Sequence, residues 1–108
     1  VVDEPAPEAG PVAVEIAYRI QPADAASFLD AAELLRVPRQ RAGATFWRIY
    51  RDLGDPTRYL ERFIVTSWAD YLRQRARATV ADQALEAEVR AFQAGDEPVA
   101  IQHYIAER

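Results

Sequence analysis

The chain reads as an α+β domain in which one four-stranded antiparallel sheet carries its helices on a single face, in the order β, α, β, β, α, α, β. Three observations predict this. The stretch Arg58 to Trp68, RYLERFIVTSW, has the β-branched and aromatic content of a strand, sets a lone Glu61 among apolar neighbours, and runs directly into a helix start at Ser67. Val12 to Ile20 alternates apolar and mixed positions without a break, as a half-buried strand does. Two segments of helical period, each opened by a capping residue, separate the RYLERFIVTSW strand from a last alternating run.

Taken in order, Val1 to Pro11 (VVDEPAPEAGP) packs three prolines and three acids into a run that suits neither a helix interior nor a central strand, so it reads as a mobile linker ahead of a domain spanning 12–108. The first strand places Val12, Val14, Ile16, Tyr18 and Ile20 on one face and Ala13, Glu15, Ala17 and Arg19 on the other. Pro22-Ala-Asp opens a helix with Phe28, Ala32 and Leu35 on one side and Ala31 and Leu34 beside them; Pro38 is expected to end or kink it near Val37. Ala44 to Arg51 is a second strand, with Phe46, Arg48 and Tyr50 opposite Thr45, Trp47, Ile49 and Arg51. Leu53-Gly-Asp-Pro-Thr is a turn, making a hairpin with the third strand, where Tyr59, Glu61, Phe63 and Val65 share a face.

Ser67 with Asp70 has capping-box spacing, and the helix Trp68 to Arg77 brings Trp68, Tyr71, Leu72 and Arg75 to helical spacing. Thr79 with Asp82 repeats the device for a helix buried through Leu85, Val89 and Phe92 that stops at Gly95. Val99 to Ile105 alternates Val99, Ile101, His103 and Ile105 against Ala100, Gln102 and Tyr104. The order is that of a ferredoxin-like, split βαβ domain. Each strand has apolar residues on both sides, which implies that the helix-free face is covered too; a homodimer formed sheet to sheet would cover it.

Composition excludes several functions. With 108 residues and half of them apolar, one domain with a real core is expected. There is no cysteine, so disulfides, thiolate metal sites and cysteine nucleophiles are ruled out. A net charge of −4 argues against nucleic acid as a partner, since phosphate binding needs a basic surface. No run approaches the roughly 20 apolar residues that cross a bilayer. Methionine is absent, so the stretch lacks an initiator, as either a piece of something longer or a processed chain would.

No phosphate loop, nucleophile elbow or set of paired metal ligands occurs, and no cofactor is expected. The candidate ligand-binding residues are Glu61, Arg48, Trp47, Trp68, His103 and Tyr50. Alternation allows most of Glu15, Arg19, Arg48 and Glu61 to gather on the helix-free face, either as a polar cleft for a small molecule or as cross-strand ion pairs that fix register. His103, the only histidine, is a general base or a hydrogen-bonded structural residue. Trp47 and Trp68 either line a flat ligand or belong to the core.

Three runs, VEIAYRIQPADAASFLDA, ATFWRIYRDLGDPTRYLERFIVTSWADYLRQ and TVADQALEAEVRAF, resemble the cytosolic C-terminal domain of major facilitator superfamily transporters of the enterobactin-exporter-like, transmembrane secretion effector group. The most specific part joins Trp47, Tyr50, Asp52, Asp55, Pro56, Arg58, Tyr59, Glu61, Phe63, Val65, Ser67 and Trp68. The helix after Trp68 departs from the group: where its members often carry histidines, this chain has Tyr71 and Arg75. The resemblance implies a dimeric α+β barrel like that of antibiotic biosynthesis monooxygenases, with Val1–Pro11 as the tether behind a membrane permease. It also implies a place on the cytoplasmic side of the membrane, as an accessory domain of an efflux permease for drugs or siderophores, or else a small monooxygenase-like enzyme. No catalytic residue carries over.

Overall fold

The computed structural model describes residues 1–108. Four strands, β1 (Val12–Arg19), β2 (Phe46–Arg51), β3 (Arg58–Val65) and β4 (Ala100–Ile105), form one antiparallel sheet in the order β2-β3-β1-β4. Ile16 faces Glu61, Val14 lies between Phe63 and His103, and Trp47 faces Phe63. These residues share one side of the sheet, as the period of two requires. All the helices lie against that side: α1 (Ala25–Glu33), α2 (Arg36–Arg41), α3 (Trp68–Arg77) and α4 (Val80–Arg90).

The core forms where β1 and β3 present apolar residues to α1 and α4. Val12, Val14, Ile16, Tyr18, Tyr59, Phe63 and Val65 are buried together with Phe28, Ala32, Leu35 and Val89. Phe28 is its centre, fully buried, with the rings of Tyr18 and Tyr59 at 5.1 and 5.4 Å and that of Phe92 edge-on at 6.1 Å. The expected caps form: the Ser67 hydroxyl accepts from the Asp70 amide at 3.1 Å, and Thr79 with Asp82 closes a full capping box on α4.

Four features differ from expectation. The single helix expected after Pro22 is a 3₁₀ turn (Pro22–Asp24), then α1, then a separate α2. Pro38 does not end a helix; it occupies the first turn of α2, where its missing N–H has no acceptor to satisfy. Leu34 and Leu72 point outward and are exposed rather than joining the apolar faces. α4 stops at Arg90, short of Gly95, because the following residues pair with the end of β1: Ala94 N–H donates to Arg19 O, and Arg19 N–H to Gln93 Oε1, both at 2.7 Å.

The residues before β1 turn once, with Ala9 N–H on Ala6 O at 3.0 Å, and are not detached. The α3 N-terminus has unpaired amides, and this segment supplies their acceptors: Pro7 O takes Ala69 N–H at 2.9 Å, and Ala9 O takes Trp68 N–H at 2.8 Å. Glu4 Oε1 also accepts from the Trp68 indole at 3.1 Å.

Candidate functional site

Glu61 is the only fully buried acid. It sits on the helix side of β3 in register with Phe63, apart from Glu15, Arg19 and Arg48, the three of the four strand charges that gather on the open face. A carboxylate without water needs donors from its surroundings. It receives four: Tyr18 OH at 3.3 Å, Trp47 Nε1 at 2.9 Å, and Arg39 Nε and Nη2 at 3.0 and 3.4 Å. Arg39, from α2, also holds Glu86 of α4 at 3.1 Å and lies over the Phe63 ring, 4.7 Å from its centroid.

Burial works against the Arg39 charge, but Glu61 and Glu86 outweigh it and raise the pKa of the guanidinium above its ordinary value. Burial, and then the Glu61 charge, push the Tyr18 phenol far above its own, so Tyr18 only donates. Chemically, the cluster is a satisfied ion pair. Each Glu61 oxygen accepts from two donors.

Beside this cluster, α2, α3 and α4 stand away from the sheet and frame a cleft of about 1040 Å³. Val14, Ile16, Phe63 and Ile101 from the sheet make its apolar floor. Its walls carry six arginines, Arg39, Arg41, Arg73, Arg75, Arg77 and Arg90, against three carboxylates, Asp70, Asp82 and Glu86. The chain as a whole is at −4, so positive charge is concentrated here against the overall balance. Glu61 lies behind Arg39 and does not line the cleft.

A second group stands at the start of α3. The Trp68, Tyr71 and His103 rings lie 4.9 to 5.9 Å apart, centroid to centroid. Arg75 Nη1 donates to the Tyr71 oxygen at 3.2 Å, and His103 Nε2 is hydrogen-bonded to the same oxygen at 2.7 Å, the imidazole tautomer setting which of the two donates. Partial burial, the amino terminus and Arg75 all depress the His103 pKa below 6.5.

The six candidate residues thus fall in three places. Glu61 and Trp47 meet in the ion-pair cluster; Trp68 and His103 meet at α3; Arg48 and Tyr50 lie exposed on the helix-free face, where Arg62 covers the Tyr50 ring at 5.3 Å and pairs with Glu15 at 2.7 Å. They do not form one site. Arg39, Tyr18 and Gln74 were not singled out from the sequence; the available signal for Arg39 was Pro38, read as a helix end rather than a helix start. The motif residues Asp52, Asp55 and Arg58 build the β2–β3 turn. Asp52 accepts from Gly54 N–H at 2.7 Å and pairs with Arg58 at 3.3 Å, while Asp55 accepts from the Thr57 amide and hydroxyl and from Arg19.

One sheet with helices on a single face, a cleft beneath them and a bare opposite face define a ferredoxin-like α+β domain of the kind seen in antibiotic biosynthesis monooxygenases. Solved structures share it: a Caulobacter crescentus protein assigned to those monooxygenases (TM-score 0.76, 19% identity, 94% of each chain covered) and one from Nitrosomonas europaea assigned likewise (0.74, 16%, 92% of each). A mutant form of SnoaB, a cofactor-independent oxygenase from Streptomyces nogalater, is similar as well (0.73, 14%, 90% of this chain and 93% of SnoaB). At these identities the likeness is one of fold. No curated protein sequence matches the chain. The chain belongs to the transmembrane secretion effector family, whose model matches residues 1–108. No helix in it is long and apolar enough to cross a membrane.

Proposed function

We propose that this chain is a non-enzymatic accessory domain of a bacterial efflux permease for drugs or siderophores, held on the cytoplasmic side of the membrane, pairing with a second copy through its helix-free face and binding a small ligand in the helix-side cleft. The family supports the transporter association. The observation that carries the pairing is the bare sheet face. Phe46, Leu60 and Ile64 are half-buried there with nothing above them, flanked by exposed Tyr50 and Tyr104. This apolar patch, set among the charges of Glu15, Arg48 and Arg62, supports pairing with a second copy, which a twofold axis would bring onto the same patch.

Sedimentation velocity tests the pairing. A dimer at high micromolar concentration that Leu60→Asp converts to a folded monomer supports it; a wild-type monomer at that concentration removes it. The competing reading is a small cofactor-independent monooxygenase-like enzyme for an aromatic or polyketide-like substrate, favoured by the cleft and by the SnoaB likeness. The saturated Glu61 speaks against it. Oxygen uptake with an electron-rich polycyclic phenol would revive it.

A further inference from the structure

We propose that the cleft between α2, α3, α4 and the sheet takes an organic anion: a carboxylate or sulfonate on a flat apolar body that also carries a hydroxyl or N–H donor. This deepens the small-ligand part of the function proposed above and rests on that part alone.

Three features of the walls define the chemistry. The first is charge. Four of the six arginines are already engaged by carboxylates: Arg39 by Glu61 and Glu86, Arg41 by Asp82, Arg73 by Asp70, and Arg90 by Glu86. Arg75 reaches only the Tyr71 hydroxyl, and Arg77 makes no ion pair. Two guanidiniums of α3 that line the cleft, Arg75 and Arg77, are therefore open to an anion, and a planar fork is the group best matched to an oxyanion with two equivalent oxygens.

The second is the floor, where Ile101 is the accessible apolar side chain, with Val14, Ile16 and Phe63 buried beneath and Arg39 over the Phe63 ring, so an apolar body has a place to lie. The third is Gln74. Its side-chain oxygen is buried and has no donor within the chain, and the residue itself lines the same cleft. Buried acceptors are ordinarily paired, and one without a partner inside a cleft calls for a donor on the ligand. A purely inorganic anion would leave both the floor and Gln74 unused.

Two probes with the same ring frame separate these contributions: 8-anilinonaphthalene-1-sulfonate, which has the anion, the rings and an N–H, and N-phenyl-1-naphthylamine, which lacks only the anion. Fluorescence titration of the whole chain is expected to show saturable binding of both. Arg75→Ala/Arg77→Ala is expected to weaken the sulfonate roughly tenfold or more and leave the neutral amine unchanged. Gln74→Leu should weaken both alike, and Arg51→Ala, which removes one exposed charge elsewhere, should change neither. Arg77→Gln provides the milder variant if the double change disturbs folding, which circular dichroism reports.

Equal affinity of wild type and Arg77→Gln for the sulfonate, or an equal loss of both probes in the arginine variants, overturns the proposal. Displacement of the sulfonate by inorganic phosphate as readily as by naphthalene-1-sulfonate overturns the organic part of it. The cleft and the pairing face lie on opposite sides of the sheet, so Leu60→Asp tells the two apart: it abolishes the dimer and leaves sulfonate binding intact.

Discussion

Arg39 on α2 and Glu61 on β3 meet at 3.0 Å, with both side chains almost wholly out of water. The pair joins a six-residue helix to the middle of the sheet, where a helix so short has little stability of its own. What orients α2 is therefore the carboxylate it reaches, together with the Trp47 indole and Tyr18 hydroxyl that fill the remaining sites on Glu61.

Removing one member of this pair should cost more than the pair contributes, because it leaves the other charge buried. Glu61→Gln or Arg39→Leu is expected to lower unfolding free energy by about 3–5 kcal/mol in urea titrations. The double variant Arg39→Met/Glu61→Leu should recover only part of this, since Trp47 Nε1 and Tyr18 OH remain without an acceptor. A single variant as stable as wild type would contradict the geometry.

Stability should fall with pH in two separate windows. His103 has a folded-state pKa below 6.5, so the unfolded chain binds the proton first and stability drops as pH falls from 6.5 through the folded value. Asp52, held down by the Gly54 amide and Arg58, and Asp55, held down by the Thr57 hydroxyl and amide, lose their contribution below 3.8, as does Asp82, held down by Arg41 and the Thr79 amide. Thermal melts of His103→Gln should lack the upper window and keep the lower one. An unchanged upper window in that variant would place its origin elsewhere.

Gly10 passes so close to β3's end that an added Cβ would run into the Thr66 carbonyl oxygen and approach Ser67 Cα at 2.9 Å. Backbone atoms cannot swing aside. Gly10→Ala should therefore destabilise by about 1–3 kcal/mol. Gly54→Ala serves as the contrast, because its nearest neighbour is a side-chain oxygen at 3.3 Å, and its melting temperature should barely move.

The Thr79 hydroxyl and the Asp82 carboxylate cap α4 reciprocally, and Arg41 binds the same Asp82 from α2. Thr79→Ala is expected to cost about 1 kcal/mol. The measurement is denaturant midpoint at constant slope; no shift would mean the cap is redundant with the Arg41 contact.

Much of this was legible in the sequence, and the reason is periodicity. Val12, Val14, Ile16 and Tyr18 could belong only to a strand with one buried face, and Ser67 and Thr79 marked true helix starts. Alternation also placed Glu61 in register with Tyr59, Phe63 and Val65; what it could not show is that buried donors from three other elements meet it there. Those donors come from positions 18, 39 and 47, and no local pattern links them. Pro38 was ambiguous, because the same ring that ends one helix is welcome in the first turn of the next. The cleft was illegible for a different reason: it depends on how far α2, α3 and α4 stand off the sheet, a tertiary distance that no spacing encodes.

The contacts of Pro7 and Ala9 with α3 carry a practical lesson about where this unit starts. By composition the edge falls at Val12, but by energy it falls earlier, since two amides of the helix that walls the cleft are satisfied from upstream of that point. A chain trimmed back to Val12 would expose them to solvent and take away the indole's acceptor at Glu4, so shortening the front end is a structural change to α3 and not a neutral cut.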